Sequence, residues 1–323
     1  MKWIVLALAA CSAPTTRNQP SRSRVEYAHH HSEALGVDKT FLVYVPAGYD
    51  DSEMRWPVFY YLHGLTSPET EWVQYGKLDD TADRLGLAAL VVMPDGDDGF
   101  YIDSATPIDY DACMRDGAGL FDPGADRAAT CVKHRAYETY IATELVAHVD
   151  ATYRTIATRD GRAIAGVSMG GFGALSLGLR HPDEYAAIAS HSALATLLYD
   201  GPHPFEPGHV KVAQDLEHAS GVARFRPWTE LLFGTDIAVW RAHDPAALIQ
   251  TMPANPPALY LDSGTEDFLV DTTRFVDELL TQHRVDHAMF YGPGKHDYAF
   301  WVPRLASSLA FLRDHTAKAH RAP

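Results

Sequence analysis

One serine stands between glycines in Gly166-Val167-Ser168-Met169-Gly170. The residues before it, "RAIAGV" (162–167), read as a short apolar strand; those after it, "MGGFGALSLGLR" (169–180), read as a small-residue helix. A strand that turns abruptly into a helix strains its corner residue and leaves no room for bulk two residues to either side, which Gly166 and Gly170 satisfy. Gly171 and Gly173 then let the helix pack closely on the sheet. The corner raises the Ser168 hydroxyl at the C-terminal edge of the sheet, above a helix N-terminus that favours developing negative charge. Residues so arranged suit nucleophilic attack by the hydroxyl.

An unactivated serine is a weak nucleophile, so a base and an orienting acid should follow, in the order Ser, Asp, His for such a corner. Among seventeen histidines, His283 and His287 fall at a helix end and a strand start, the wrong end of the sheet. His296 comes just past the strand "HAMFY" on a glycine-rich loop, where a base belongs. His191, near the end of another strand, is the reserve and reads better as a pocket wall. In "ALYLDSGTEDFLV" the acids are Asp262, Glu266, Asp267 and Asp271. Asp262 belongs to the strand; Asp267, on the loop beyond, is better placed to reach His296, while the adjacent Asp297 points away. Two backbone N–H donors should face the developing oxyanion. Met169 supplies one; the other comes from the loop "HGLTSPETEW" after "VFYYL", with Leu65 the first choice and Thr66 the second. The candidate pocket residues are Thr66, Trp72, Tyr101, Asp103 and His191.

The elements that must position these groups are legible as apolar runs: "FLVYV" (41–45), "VFYYL" (58–62), "LAALVVM" (87–93), "RAIAGV" (162–167), "YAAIAS" (185–190), "ALYLDS" (258–263) and "HAMFY" (287–291). Several are continuous rather than alternating, as in strands buried on both faces of a parallel sheet. Helical patterns lie between them at 137–153, 169–180, 271–283 and 300–315. The alternation predicts an α/β fold, a mostly parallel central sheet with helices on both faces, in one domain over 25–323. Two stretches break the pattern, 97–136 and 199–235, and long loops in such a domain are commonly lids or binding loops.

The chain has 323 residues and a formal net charge of −15, which argues against nucleic acid or an anionic membrane as partner. No cofactor or metal site is expected. "DGDDG" (95–99) lacks the alternating ligands of a calcium loop, His283-x-x-x-His287 has no internal Glu, and His29-His30-His31 reads as a solvated stretch.

At the N-terminus, Lys2 precedes an apolar run, Trp3–Ala10, and then Cys11. This is the pattern of an export signal over 1–10, too short to span a bilayer. Leu8-Ala9-Ala10-Cys11 also looks like a bacterial lipobox, making Cys11 a candidate lipidated residue and a membrane attachment point. Residues 11–24 are polar, as in a flexible tether. The protein is thus expected in the cell envelope or outside the cell, where the remaining cysteines, Cys113 and Cys131, are most simply a disulfide. They lie within an insertion at about 104–135.

"YYLHGLTSPETEW", "VVMPDGDDGFYIDS", "YETYIATELVAHVDATY", "AGVSMGGFGALSLGLRHPDEYAAIASHSA", "SGTEDFL" and "GKHDYAFW" resemble the esterase D family of α/β-hydrolases, over most of residues 40–315. The family includes feruloyl and acetyl-xylan esterases, S-formylglutathione hydrolases, siderophore esterases and mycolyltransferases. The resemblance implies an α/β-hydrolase fold, a Ser168–Asp267–His296 triad, and Leu65 and Met169 at the oxyanion hole. The chain departs from the family in the 104–135 insertion. Ser67 also stands where the formylglutathione branch typically has cysteine, which with export points away from formaldehyde detoxification. The expectation is a serine carboxylic-ester hydrolase acting on a small-molecule or carbohydrate ester. The alternatives are an acyltransferase, with a sugar or other alcohol replacing water, and a non-catalytic binding protein on the same scaffold.

Overall fold

Runs of β-branched and aromatic residues need cover on both faces, and the central strands have it. In the computed structural model, which describes residues 21–221, 225–252 and 255–321, the strands are β1 (Arg24–Ser32), β2 (Val37–Val45), β3 (Met54–Arg55), β4 (Val58–Leu62), β5 (Leu90–Pro94), β6 (Arg162–Val167), β7 (Ala187–His191), β8 (Ala258–Gly264), β9 (His287–Gly292) and β10 (His320–Arg321). Eight of them form one sheet in the order β1-β2-β5-β4-β6-β7-β8-β9, with β3 and β10 paired separately. Strands β5, β4, β6, β7, β8 and β9 run parallel, while β2 is antiparallel to β1 and β5. Every residue of β4, β5, β6 and β7 is buried, the expected state of parallel strands sandwiched by helices.

Side chains alternate across the sheet and so feed two cores. Val58, Tyr60 and Leu62 pack with Tyr140, Ile141 and Leu175 on one face. Phe59 and Tyr61 pack with Leu78, Ala82, Leu305 and Leu309 on the other. Helix Met169–Arg180 thus covers the first face, and helices Leu78–Leu85 and Tyr298–Asp314 the second. The helical run from Tyr137 to Thr152 contains a wider π-type turn over Tyr140–Leu145.

Three sequence readings change or fall outside. His29-His30-His31 is not a loose solvated stretch but part of edge strand β1, opposite Thr40, Lys39 and Asp38. His30 is partly buried against His148, with ring centroids 4.6 Å apart. A half-exposed edge strand tolerates polar residues, which hid it. Among the described residues of the 199–235 stretch there is one helix, Arg226–Phe233, with Pro227 in its first turn. Cys11 and the apolar leader lie outside the described residues.

Within the insertion, Cys113 and Cys131 are joined by a disulfide, Cα atoms 5.9 Å apart. The segment carries two short helices, Tyr110–Asp116 and Arg127–Thr130, each capped by an aspartate accepting a backbone N–H (Asp109 from Ala112, Asp126 from Ala128). Lys39, buried on β2, donates to Ala129 O at 3.0 Å and anchors the second helix.

Candidate active site

Ser168 sits between β6 and its helix at φ +56°, ψ −117°, a region L-residues avoid unless the surroundings hold them there. Its own N–H donates to His191 O at 2.9 Å, pinning the corner to the end of β7. A Cβ on Gly166 would lie 2.3 Å from Gly170 O, and one on Gly170 would lie 2.3 Å from Leu62 O. Both positions therefore exclude a side chain. Gly173 plays a different part from the one its sequence position suggests: a Cβ there would meet the Tyr101 ring at 2.4 Å, so it makes room for Tyr101 rather than for the sheet.

The loops after β8 and β9 are laced together: Thr265 N donates to Gly292 O (2.8 Å) and Glu266 N to Gly294 O (2.9 Å). They carry Asp267 and His296. His296 Nε2 is 2.9 Å from Ser168 Oγ, and His296 Nδ1 is 2.9 and 3.1 Å from the two oxygens of Asp267. A carboxylate only accepts, so Nδ1 must carry the proton and Nε2 is left free to accept from the serine. The Asp267 side chain is 0% exposed and that of His296 is 16%. Asp267 Oδ1 also accepts from Leu269 N at 2.8 Å. The imidazole lies between aromatic rings, Phe268 at 4.7 Å and Trp301 edge-on at 5.0 Å, which limits its rotation. Asp297 instead caps the following helix through Phe300 N.

Opposite the nucleophile runs the loop after β4. A Cβ on Gly64 would be 3.6 Å from Ser168 Cβ, so this backbone lies against the serine. Gly64 O accepts from His63 Nδ1 at 2.8 Å and from Ser67 N at 3.2 Å. In a trans peptide the N–H points opposite the C=O, so these bonds turn Leu65 N–H the other way. Thr66 N is committed to Asp98 Oδ1 at 2.6 Å, which removes the second-choice donor. Met169, the first residue of its helix, has an N–H with no partner one turn back.

Several expected pocket residues do not line a pocket. Trp72 is buried with its Nε1 donating to Leu62 O. Tyr101, also fully buried, donates its hydroxyl to His63 O at 2.9 Å. His191 is enclosed between Asp262 and Ser308. These three support the floor and the loop instead. Asp103 is exposed, accepting from Thr139 N and Oγ1. Thr66 alone among them lines an open cleft, of about 250 Å³. One wall of that cleft is Thr66–Glu69; the other includes Asp122, Asp126 and Thr130 of the insertion. Phe121 of the insertion packs edge-on against Trp228 (5.5 Å), and Trp228 Nε1 donates to Asp98 O at 3.0 Å. By contrast, a cavity of about 730 Å³ lined by His283 and His287 lies at the starts of β8 and β9, the opposite edge of the sheet from Ser168.

Sequence reasoning missed the groups behind the loops. Glu71, buried, accepts from Gly64 N at 2.7 Å and from Tyr298 OH at 2.6 Å. Lys39 Nζ lies 2.7 Å from both Asp95 and Asp97. Burial would raise Asp95, but the Lys39 charge and the His63 contact hold it well below the usual carboxylate range. Asp97, penalised by burial and then by Asp95, is pushed up to about 7. The only advance signal was a run of acids in "PDGDD" with no obvious partner.

The sheet order, the elbow and the two C-terminal-edge loops define an α/β-hydrolase fold. Residues 32–312 match the family described as "Putative esterase", and the chain belongs to that family. Esterase Rv1288 of Mycobacterium tuberculosis is 28% identical over 280 residues, 84% of this chain and 56% of that protein, so the chain spans little more than half of that relative's length. An S-formylglutathione hydrolase of Paracoccus denitrificans is 27% identical over 263 residues, covering 80% and 78%. Among solved structures, a ferulic acid esterase superposes with a TM-score of 0.66 at 22% identity, covering 91% of this chain and 99% of the other.

Proposed function

We propose that the protein is a serine carboxylic-ester hydrolase with Ser168, His296 and Asp267 as its catalytic triad. The observation that carries this is the unbroken series of hydrogen bonds from Ser168 Oγ through the imidazole to a buried carboxylate. Ser168 Oγ attacks the ester carbonyl carbon while His296 Nε2 takes its proton. Leu65 and Met169 N–H groups stabilise the oxyanion. The C–O bond to the alcohol breaks, His296 returns the proton to the leaving oxygen, and an acyl-serine remains. Water, giving its proton to His296, attacks the acyl carbon; the acid leaves and Ser168 recovers its proton. Asp267 holds the imidazole tautomer throughout.

The substrate class proposed is an aryl ester or an acylated carbohydrate, and the name of the similar ferulic acid esterase supports an ester of an aryl acid. Export with lipidation at Cys11 is part of the same proposal, supported by Lys2, the apolar run and Leu8-Ala9-Ala10-Cys11. A disulfide in the insertion suits an oxidising compartment. A fluorophosphonate should label the wild-type protein at Ser168. Ser168→Ala should lower kcat roughly 10⁴- to 10⁶-fold. Retention of more than a few per cent of activity in that variant would sink the assignment. Fatty-acid labelling that disappears in Cys11→Ala, on a precursor that stays uncut when globomycin is present, tests the anchor, and unchanged labelling counts against it.

A further inference from the structure

The loop that presents Leu65 and the loop that presents His296 come from opposite ends of the chain, yet one buried carboxylate touches both. Glu71 Oε2 accepts from Gly64 N at 2.7 Å, and Glu71 Oε1 accepts from Tyr298 OH at 2.6 Å. We propose that Glu71 is a positioning residue for the oxyanion hole, and that the Gly64–Glu71–Tyr298 bridge keeps the oxyanion loop in register with the histidine loop. This rests on the esterase reading above.

The geometry explains why a carboxylate serves here. Gly64 N–H fixes the peptide plane just before the one whose N–H is Leu65's. The next plane is fixed at its carbonyl by His63 Nδ1 and Ser67 N. Two consecutive planes are therefore held, and Leu65 N–H has little freedom left. A charged acceptor binds two donors more tightly than a neutral one. Both donors come to Glu71 from outside its own short helix, Glu71–Gln74, so the two bonds join separate parts of the fold. Tyr298 lies two residues beyond His296, and its ring is edge-on to Trp301 at 5.0 Å, which in turn packs edge-on against His296. A slip of the bridge would thus move the oxyanion donor and the base relative to each other. The loss should appear in the transition state, where the oxyanion exists, and not in ground-state binding.

The test uses p-nitrophenyl acetate turnover and the inhibition constant of a boronic acid that becomes tetrahedral on serine. Glu71→Ala should lower kcat about 100-fold and Tyr298→Phe about 10-fold, with KM within about twofold of wild type. Glu71→Gln should recover part of the loss, because its amide can bridge both groups in neutral form. Boronic acid affinity should fall in parallel with kcat. The double variant Glu71→Ala/Tyr298→Phe should be no worse than Glu71→Ala alone, since both break one bridge. Tyr298→Phe removes a single half-buried oxygen and keeps the test decisive should Glu71→Ala fail to fold. Wild-type activity with kcat within twofold in Tyr298→Phe, or in a folded Glu71→Ala, overturns the bridge alone. A wild-type protein that neither takes the fluorophosphonate nor hydrolyses esters overturns the esterase reading, and the bridge with it.

Discussion

His191 and Asp262 share a hydrogen bond of 2.8 Å with both side chains shut away from solvent. Ser308 Oγ stands 3.0 Å from His191 Nε2, so the chain holds a second series of Ser, His and Asp. No ester can reach it: the series is buried, with Tyr61 OH hydrogen-bonded to Ser308 Oγ and Tyr260 OH donating to Asp262. It ties β7 and β8 to the helix Tyr298–Asp314 that begins just after His296. Leaving a buried acceptor without its donor typically costs about 1–3 kcal/mol. His191→Ala should therefore lower the thermal midpoint markedly, while kcat of the folded fraction stays within a few-fold. A large loss of kcat at unchanged stability would place His191 in the chemistry after all.

Asp267→Asn should do the reverse. Its amide would offer a donor to Nδ1 and favour the wrong tautomer, costing about 10²- to 10⁴-fold in kcat with little change in thermal midpoint. Steady-state kinetics beside thermal melts on Asp267→Asn and Asp262→Asn separate the two carboxylates. If Asp262→Asn proved the damaging change to kcat, the acid would be misassigned.

What the sequence carried and what it hid differ in range. The elbow is legible because Gly166 and Gly170 answer to contacts within a few residues. Strands β4 and β6 are bounded as their apolar runs predict, at Val58–Leu62 and Arg162–Val167. Asp267 and His296 were chosen because C-terminal strand ends are where α/β sites are built, and the structure brings His296 within hydrogen-bond reach of both Asp267 and Ser168. Trp72, Tyr101 and His191 were placed near the right loops but at the wrong depth. Depth is a tertiary property: Tyr101 sinks because Gly96 and Gly173 leave space for its ring. The Glu71–Tyr298 bond spans 227 residues of sequence, and nothing local at either end announces it.

Gly173→Ala tests that slot. Alanine favours a helix over glycine by about 1 kcal/mol, but its methyl would enter the Tyr101 ring space at 2.4 Å. The ring is enclosed and its hydroxyl is tied to His63 O, so it cannot yield cheaply. Overpacking of this kind costs about 1–3 kcal/mol. The variant should melt lower than wild type and lose activity as His63 and its loop shift. A more stable, fully active Gly173→Ala would show that the ring relocates freely.

Asp97 makes a pH-dependent contribution. Its carboxyl is pushed up to about 7 from an ordinary 3.8. A group raised in the fold stabilises fully below its unfolded value, and that contribution is lost as pH rises through the folded value. From about pH 4 to 7, ionising Asp97 beside Asp95 should progressively remove stability, moderated by Lys39 and Tyr137. Asp97→Asn should therefore gain on wild type as pH rises across that window. Thermal midpoints of both proteins from pH 4 to 8 measure this; parallel curves would contradict it.

The insertion offers the last test. Its disulfide closes a separation of 18 residues, a constraint that contributes about 3 kcal/mol in the chain-entropy account. The enclosed segment is rich in glycine, alanine and aspartate and mostly exposed, so it has little core of its own. It is held elsewhere by Lys39 to Ala129 O and by Phe121 on Trp228. Through Trp228 and Asp98 that contact reaches Thr66, and Asp122 and Asp126 face Thr66–Glu69 across the cleft. Cys113→Ser/Cys131→Ser should loosen the cleft wall without disturbing Ser168, His296 or Asp267. KM should rise more for acetylated oligosaccharides than for p-nitrophenyl acetate, while the rate of fluorophosphonate labelling stays near wild type. Equal KM changes for large and small esters would mean that the insertion braces the surface without touching substrate.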